Sequence, residues 1–163
     1  MTDWPALPFR LVVAGVDGSD AARRALEWTA VLAAATDAEV VAAHVLTYDR
    51  EFERDLTLDT MRTWRRELEH DLRAAWTEPL RAVPPIRFRS VLVEASSPTD
   101  GLLDIARREH ADLIVVGARG HGTFAGRVIG GVSYRLAHHA TQPVVVVPPH
   151  WCRCDDAVPR AAS

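Results

Sequence analysis

At 163 residues, with a net charge of −3, 48% hydrophobic residues and 25% charged ones, the chain has the balance of one globular domain with a sizeable core. The mild acidity gives no general attraction for nucleic acid or membrane, no apolar run approaches the ~20 residues of a spanning helix, and MTDWPALPFR lacks the pattern of a signal peptide, so a cytoplasmic location is expected. All 19 basic residues are Arg, which excludes chemistry that needs a lysine: a Walker A loop, a Schiff-base enzyme, a phospho-accepting receiver domain.

Residues 1–8, with Trp4, Pro5 and Pro8, read as an irregular arm. Arg10 to Val16 is apolar and β-branched, as a buried central strand is. Asp17-Gly18-Ser19 breaks it, and Ser19 or Asp20 caps a helix expected from about Ala21 to Thr36. Glu39 to Leu46 is a second strand, which makes a βαβ unit with two parallel strands. Thr47 to Asp55 is charged and loop-like.

A long helix is expected from about Leu56 to Arg81, with Met61, Trp64, Leu68, Leu72, Trp76 and Leu80 as its apolar stripe, more readily core than partner face. Pro84 and Pro85 end it. Ile86 to Val93 alternates apolar residues with Arg87 and Arg89, the pattern of an edge strand protected by charge. Ser97-Pro98-Thr99-Asp100 is a strong helix start, with the helix reaching about Glu109.

Leu113 to Ser133, LIVVGARGHGTFAGRVIGGVS, organises the rest. Leu113 to Val116 is a buried strand; Gly117, Gly120, Gly122 and Gly126 form a loop; Gly130 to Ser133 open a helix ending near His139. Strand, glycine loop and helix start can hold phosphate, because glycines turn backbone N–H groups toward an anion and the helix N-terminus adds a positive dipole end. Pro143 opens a last strand, Val144 to Val147, uncharged and last in the chain; as a bare sheet edge it would need a partner. Residues 149–163 are Pro-, Asp- and Ala-rich and expected to be disordered. Cys152 and Cys154 beside His150 are too closely spaced for an ordinary zinc site, and no metal site is expected. The five strands imply an open parallel sheet with helices on both faces, one α/β domain over residues 9–148.

Gly117, Gly120 and Gly130 stand at the spacing G-x2-G-x9-G. With the V-D-G-S after the first strand and the H-V closing the second, this resembles the universal stress protein family over Phe9 to Pro148. The family's motif ends in Ser or Thr where this chain has Gly131. One hydrogen bond to a charged group is worth roughly 1.5–3 kcal/mol, so phosphate binding is weakened rather than removed. The resemblance implies a Rossmann-like fold that binds ATP, or ADP or AMP, with Mg²⁺ bridging phosphates. It places Asp17 and Val45 against the nucleoside, with Gly15, Val16 and Val116 at the flanking strand ends. N–H groups of Gly117, Gly120, Gly130, Gly131 and Val132 would cradle phosphates, Ser133 would offer a hydroxyl, and Arg119 or Arg127 would add charge. It also implies a homodimer through Val144–Val147.

From the residues alone, Asp17 is as readily a turn residue capping the next helix as a ligand contact. Three functions follow: a nucleotide-binding stress regulator, a dimeric interaction module without nucleotide, and a slow ATPase. Fast hydrolysis needs a positioned base. His121, His138 and His139 are candidates, yet the last two suit a helix end by their charge, so no catalytic residue is assigned.

Overall fold

The computed structural model describes residues 9–47, 57–83, 85–118 and 130–152. Five strands form one parallel sheet in the order β3-β2-β1-β4-β5: β1 Leu11–Gly15, β2 Glu39–Leu46, β3 Phe88–Glu94, β4 Leu113–Gly117 and β5 Val144–Val147. The helices are α1 Asp20–Thr36, α2 Leu58–Asp71, a π-helical turn Leu72–Trp76, α3 Glu78–Arg81, α4 Pro98–Arg108 and α5 Gly131–His139. The expected fold class is correct, and β2 and β5 have the expected bounds.

Alternation along each strand splits the core between the two faces. Val13, Val41, Ala43, Val45, Ile114 and Val116 meet Leu102, Leu103, Ile105 and Ala106 of α4 and Leu136 of α5. On the other face Ala14, Val16, Val40 and Ala42 meet Leu26, Ala30 and Ala33 of α1, together with Leu72 and Leu80. Valine and isoleucine fill the three inner strands because both faces are covered.

Helix starts follow local chemistry. The hydroxyls of Ser19, Thr57 and Ser97 accept hydrogen bonds from the N–H groups of Ala22, Thr60 and Asp100, which caps α1, α2 and α4. The carboxylate of Asp112 accepts from the N–H groups of Arg10 at 2.7 Å and Leu11 at 3.0 Å, tying the start of β1 to that of β4.

The expected continuous helix to Arg81 needs correcting. Its stripe runs Trp64, Leu68, Leu72, Trp76, Leu80, always four apart. Four-residue steps overshoot a 3.6-residue turn by about 40° each, so in a pure α-helix the stripe would wind off the sheet. The wider π turn over Leu72–Trp76 takes up that drift. Leu72 and Leu80 are consequently buried, whereas α2 before the turn buries no residue. The core reading of the stripe holds only for its second half.

The two sheet edges differ. Beside β3, Arg87 pairs with Asp37, Arg89 with Glu39 and Glu109, and Arg65 with Glu94. β5 carries four valines and no charge.

Candidate functional site

The strand order reverses between β1 and β4: the chain leaves β1 for β2 on one side, then returns through α4 to β4 on the other. In open α/β sheets ligands bind at the carboxyl ends of the strands at such a switch point. The residues named from the sequence converge there.

Gly15 ends β1, opposite Ala43 of β2. A β-carbon at Gly15 would lie 3.0 Å from both Leu102 Cδ1 and Val116 Cγ1, so a side chain at that position would crowd α4 and β4. Val16 is 5% exposed; its N–H donates to the Ala43 carbonyl at 2.9 Å, and its carbonyl accepts from Nδ1 of His44 at 2.7 Å. Asp17 Oδ1 accepts from the backbone N–H of Ser19 at 3.0 Å and from its hydroxyl at 2.6 Å. Asp17 is thus a turn residue, but Ser19 and not Asp17 caps α1; Asp17 is half-buried and follows the end of β1 at the switch point. Gly18 follows with φ +78°, a left-handed conformation that glycine adopts without strain.

Val45 turns its side chain into the core under α4, where a β-carbon on Gly101 would be 2.6 Å from its Cγ1. Its side chain is therefore committed to packing. Its backbone groups share the side of the Ala43 carbonyl, toward β1 and two residues beyond the last β1–β2 pair, because alternate residues point their peptide groups the same way.

On the β4 side, Val116 is buried at 5% exposure and Gly117 ends the strand. The N–H of Ala118 donates to the Val147 carbonyl at 2.9 Å, and the N–H of Gly130 donates to the Ala118 carbonyl at 2.6 Å. The second bond draws the start of α5 back to the end of β4. Gly130 is the N-cap of α5 and provides no capping side chain. Among the described residues, nothing accepts from the N–H groups of Gly131, Val132 or Ser133. Unpaired N–H groups at a helix start are anion donors. Gly131 is exposed, and among the described residues a β-carbon there would meet nothing within 4 Å. Ser133 is only 2% exposed, with its hydroxyl directed at the carbonyls of Gly130 at 3.1 Å and Ala118 at 3.3 Å. Its hydrogen is engaged within the fold, so its hydroxyl does not substitute freely for the one missing at Gly131.

Arg119, Gly120, Gly122, Gly126, Arg127 and His121 lie outside the described residues, as does Cys154; Cys152 is exposed and unpaired. Among the described residues no group of three His, Cys, Asp or Glu side chains can hold a metal, and no helix is long and apolar enough to cross a membrane. His138 lies on the exposed face of α5 against Tyr134, ring centroids 4.6 Å apart. Sequence reasoning missed the contact of His44 and Trp76 with the β1–α1 turn. The signal was present in the four-residue spacing that carries Trp76 inward.

The chain is similar to the Mycobacterium tuberculosis universal stress protein Rv1636, 29% identical over 146 residues that cover 85% of this chain and 96% of that protein. It is 32% identical to universal stress protein Rv2623 of the same organism over 151 residues; there it spans 46% of the relative's length, about half. Among solved structures it resembles a universal stress protein in complex with cAMP, with TM-score 0.68, 27% identity and coverage of 87% and 98% of the two chains. The protein MJ0577 shares the fold at TM-score 0.74 and 20% identity, over 86% and 96% of the chains. The profile of the Universal stress protein family matches residues 8–148, the whole sheet with its helices, and the chain belongs to that family.

Proposed function

We propose that this universal stress protein is an adenine-nucleotide-binding regulator that works as a homodimer in the cytoplasm, with ATP or a related adenine nucleotide as its ligand. The observation that carries the reading is the pairing, at one sheet end, of the Asp17 turn with the uncapped start of α5. A carboxylate suited to hydroxyl donors stands on one side, and unpaired N–H groups suited to an anion stand on the other. A relative of this fold was solved with cAMP, which has both parts.

In this reading Asp17 and the backbone of Val45 hold the nucleoside, beside Gly15, Val16 and Val116. The N–H groups of Gly117, Gly120, Gly130, Gly131 and Val132 hold the phosphates, Arg119 adds charge, and Ser133 shapes the helix start. Mg²⁺ bridges phosphate oxygens, since no protein cage is required for it. Hydrolysis, if present, is slow.

Calorimetry on nucleotide-stripped protein, with ATP, ADP, AMP and cAMP in turn and Mg²⁺ present, tests this. Micromolar binding that Gly120→Val abolishes supports the site. Gly131→Ser places a hydroxyl at an exposed position of the helix start and should tighten ATP about tenfold. A parent chain that binds none of the four at millimolar concentration, with Gly131→Ser gaining binding, would favour the second reading: a dimeric interaction module that lost its ligand at Gly131.

A further inference from the structure

Trp76 sits against the turn that carries Asp17. A β-carbon on Gly18 would lie 2.8 Å from Cε2, 2.9 Å from Cζ2 and 3.0 Å from Nε1 of Trp76, so the indole edge fills the volume a side chain at residue 18 would take. The same ring meets His44 edge-on, with centroids 5.0 Å apart and planes at 73°. Nδ1 of His44 donates in turn to the Val16 carbonyl at 2.7 Å. Trp76 therefore touches the turn directly at Gly18 and, through His44, at Val16. Asp17 stands between those two points.

A glycine with no neighbour has the widest choice of backbone conformations, and a turn built on one is loose. Gly18 is otherwise exposed, and a rigid ring edge against one side of it narrows that choice. A binding site already in its bound shape loses less entropy when the ligand arrives. We propose that Trp76 is a positioning residue for the nucleotide site: it holds the Val16–Ser19 turn in one conformation and so sets where Asp17 presents its carboxylate. This rests on the nucleotide reading above. The π turn is part of the device, because it is what brings residue 76 back onto the sheet face. π-helical turns recur at functional sites for this kind of reason.

The test uses the full chain and two readouts, ATP affinity by calorimetry and amide exchange at Ser19, whose N–H donates to Asp17 Oδ1. Trp76→Leu keeps apolar volume in the core and removes the ring edge. It should speed Ser19 exchange at least ~tenfold and weaken ATP binding by about tenfold, while the amides of Leu103 and Ile105 in α4 keep their protection. Trp76→Phe restores a ring and should return both readouts to within about threefold of the parent. Gly18→Ala is strained by its φ of +78° whatever Trp76 does, so should Trp76→Leu not fold, Trp76→Met, which keeps apolar volume without a ring, decides the matter and should change both readouts comparably. Unchanged Ser19 exchange in Trp76→Leu overturns the proposal, as does a parent that binds ATP no better than Trp76→Leu or, should that not fold, than Trp76→Met. Loss of α4 protection along with Ser19 overturns it too, since the effect is then global. A parent that binds no adenine nucleotide overturns the nucleotide reading itself and this proposal with it.

Discussion

The backbone of Ala21 lies so close to Gly117 that a β-carbon on the glycine would stand 2.6 Å from the Ala21 carbonyl oxygen and 2.7 Å from its carbonyl carbon. The first turn of α1 thus rests on the end of β4 with no room for a side chain. The neighbour is backbone and cannot rotate away. Gly117→Ala should cost about 1–3 kcal/mol of stability. The midpoint of thermal unfolding would fall by several degrees, at roughly 2–4 °C per kcal/mol for a chain of this size. An unchanged midpoint would mean that α1 can shift outward freely.

Gly131 is the opposite case. With no described residue within 4 Å of a β-carbon, Gly131→Ser should leave stability within about 0.5 kcal/mol of the parent, read from the urea midpoint. Two glycines of one motif therefore have different physical reasons: close packing at residue 117 and open space at residue 131. A loss of stability in Gly131→Ser would contradict the open geometry.

Much of this was legible in the sequence, for local reasons. Ser97-Pro98-Thr99-Asp100 states a helix start within four residues, and Glu39–Leu46 states a strand by unbroken apolar character. The G-x2-G-x9-G spacing brought Gly117 and Gly130 to one sheet end, where the Gly130–Ala118 hydrogen bond holds them. Contacts that depend on two distant segments were not legible. Nothing near residue 18 announces that the Trp76 ring edge lies against it, and nothing near Asp112 announces the N–H groups of Arg10 and Leu11. A stripe with a step of four was also read as an ordinary helix, though its period pointed to an underwound one.

Asp112 joins two strands that lie about a hundred residues apart in the chain, a separation the sheet must close before β1 is anchored. Asp112→Ala leaves the N–H groups of Arg10 and Leu11 to water and should cost about 1 kcal/mol. Asp112→Asn keeps an acceptor oxygen and should cost less. Amide exchange at Leu11 is the direct measure: it should quicken in the alanine variant and not at Val41. Equal protection at Leu11 in both chains would show that the carboxylate is dispensable.

The hydroxyl of Ser97, and after it that of Ser96, donates to the Asp100 carboxylate and lowers its pKa below the ordinary aspartate range; desolvation opposes this, and the positive charges of Arg135 and His139 add lesser lowering effects. A carboxyl whose folded pKa is depressed adds stability that is complete above its unfolded pKa of about 3.9. That contribution is lost as pH falls through the lower, folded value. Proton titration followed by NMR should show Asp100 titrating below the ordinary aspartate range. Ser97→Ala should move it upward. No movement would assign the shift to the Ser96 hydroxyl and the charges rather than to Ser97.

The oligomeric state can be read at β5. The carbonyls of Pro143 and Val147 accept from Ile114 and Ala118 of β4, so Val144 and Val146, with the opposite parity, point their peptide groups away from the sheet. Val146→Pro removes an outward N–H without taking a bond from β4. A dimer joined at this edge should sediment as a monomer in that variant, with the unfolding midpoint of the diluted parent unchanged. A variant that still sediments as a dimer would place the contact elsewhere on the surface.

The unlike edges of the sheet bear on how far association can go. Each exposed ion pair beside β3 adds little stability, about 0–1 kcal/mol. Together they line an edge where an incoming strand would have to bury Arg or Glu charge. Any joining at β5 uses up the bare edge of both copies and turns the charged borders outward. Growth would then stop at a closed symmetric pair, and the four valines of β5 would no longer offer a strand edge from which a fibre could grow.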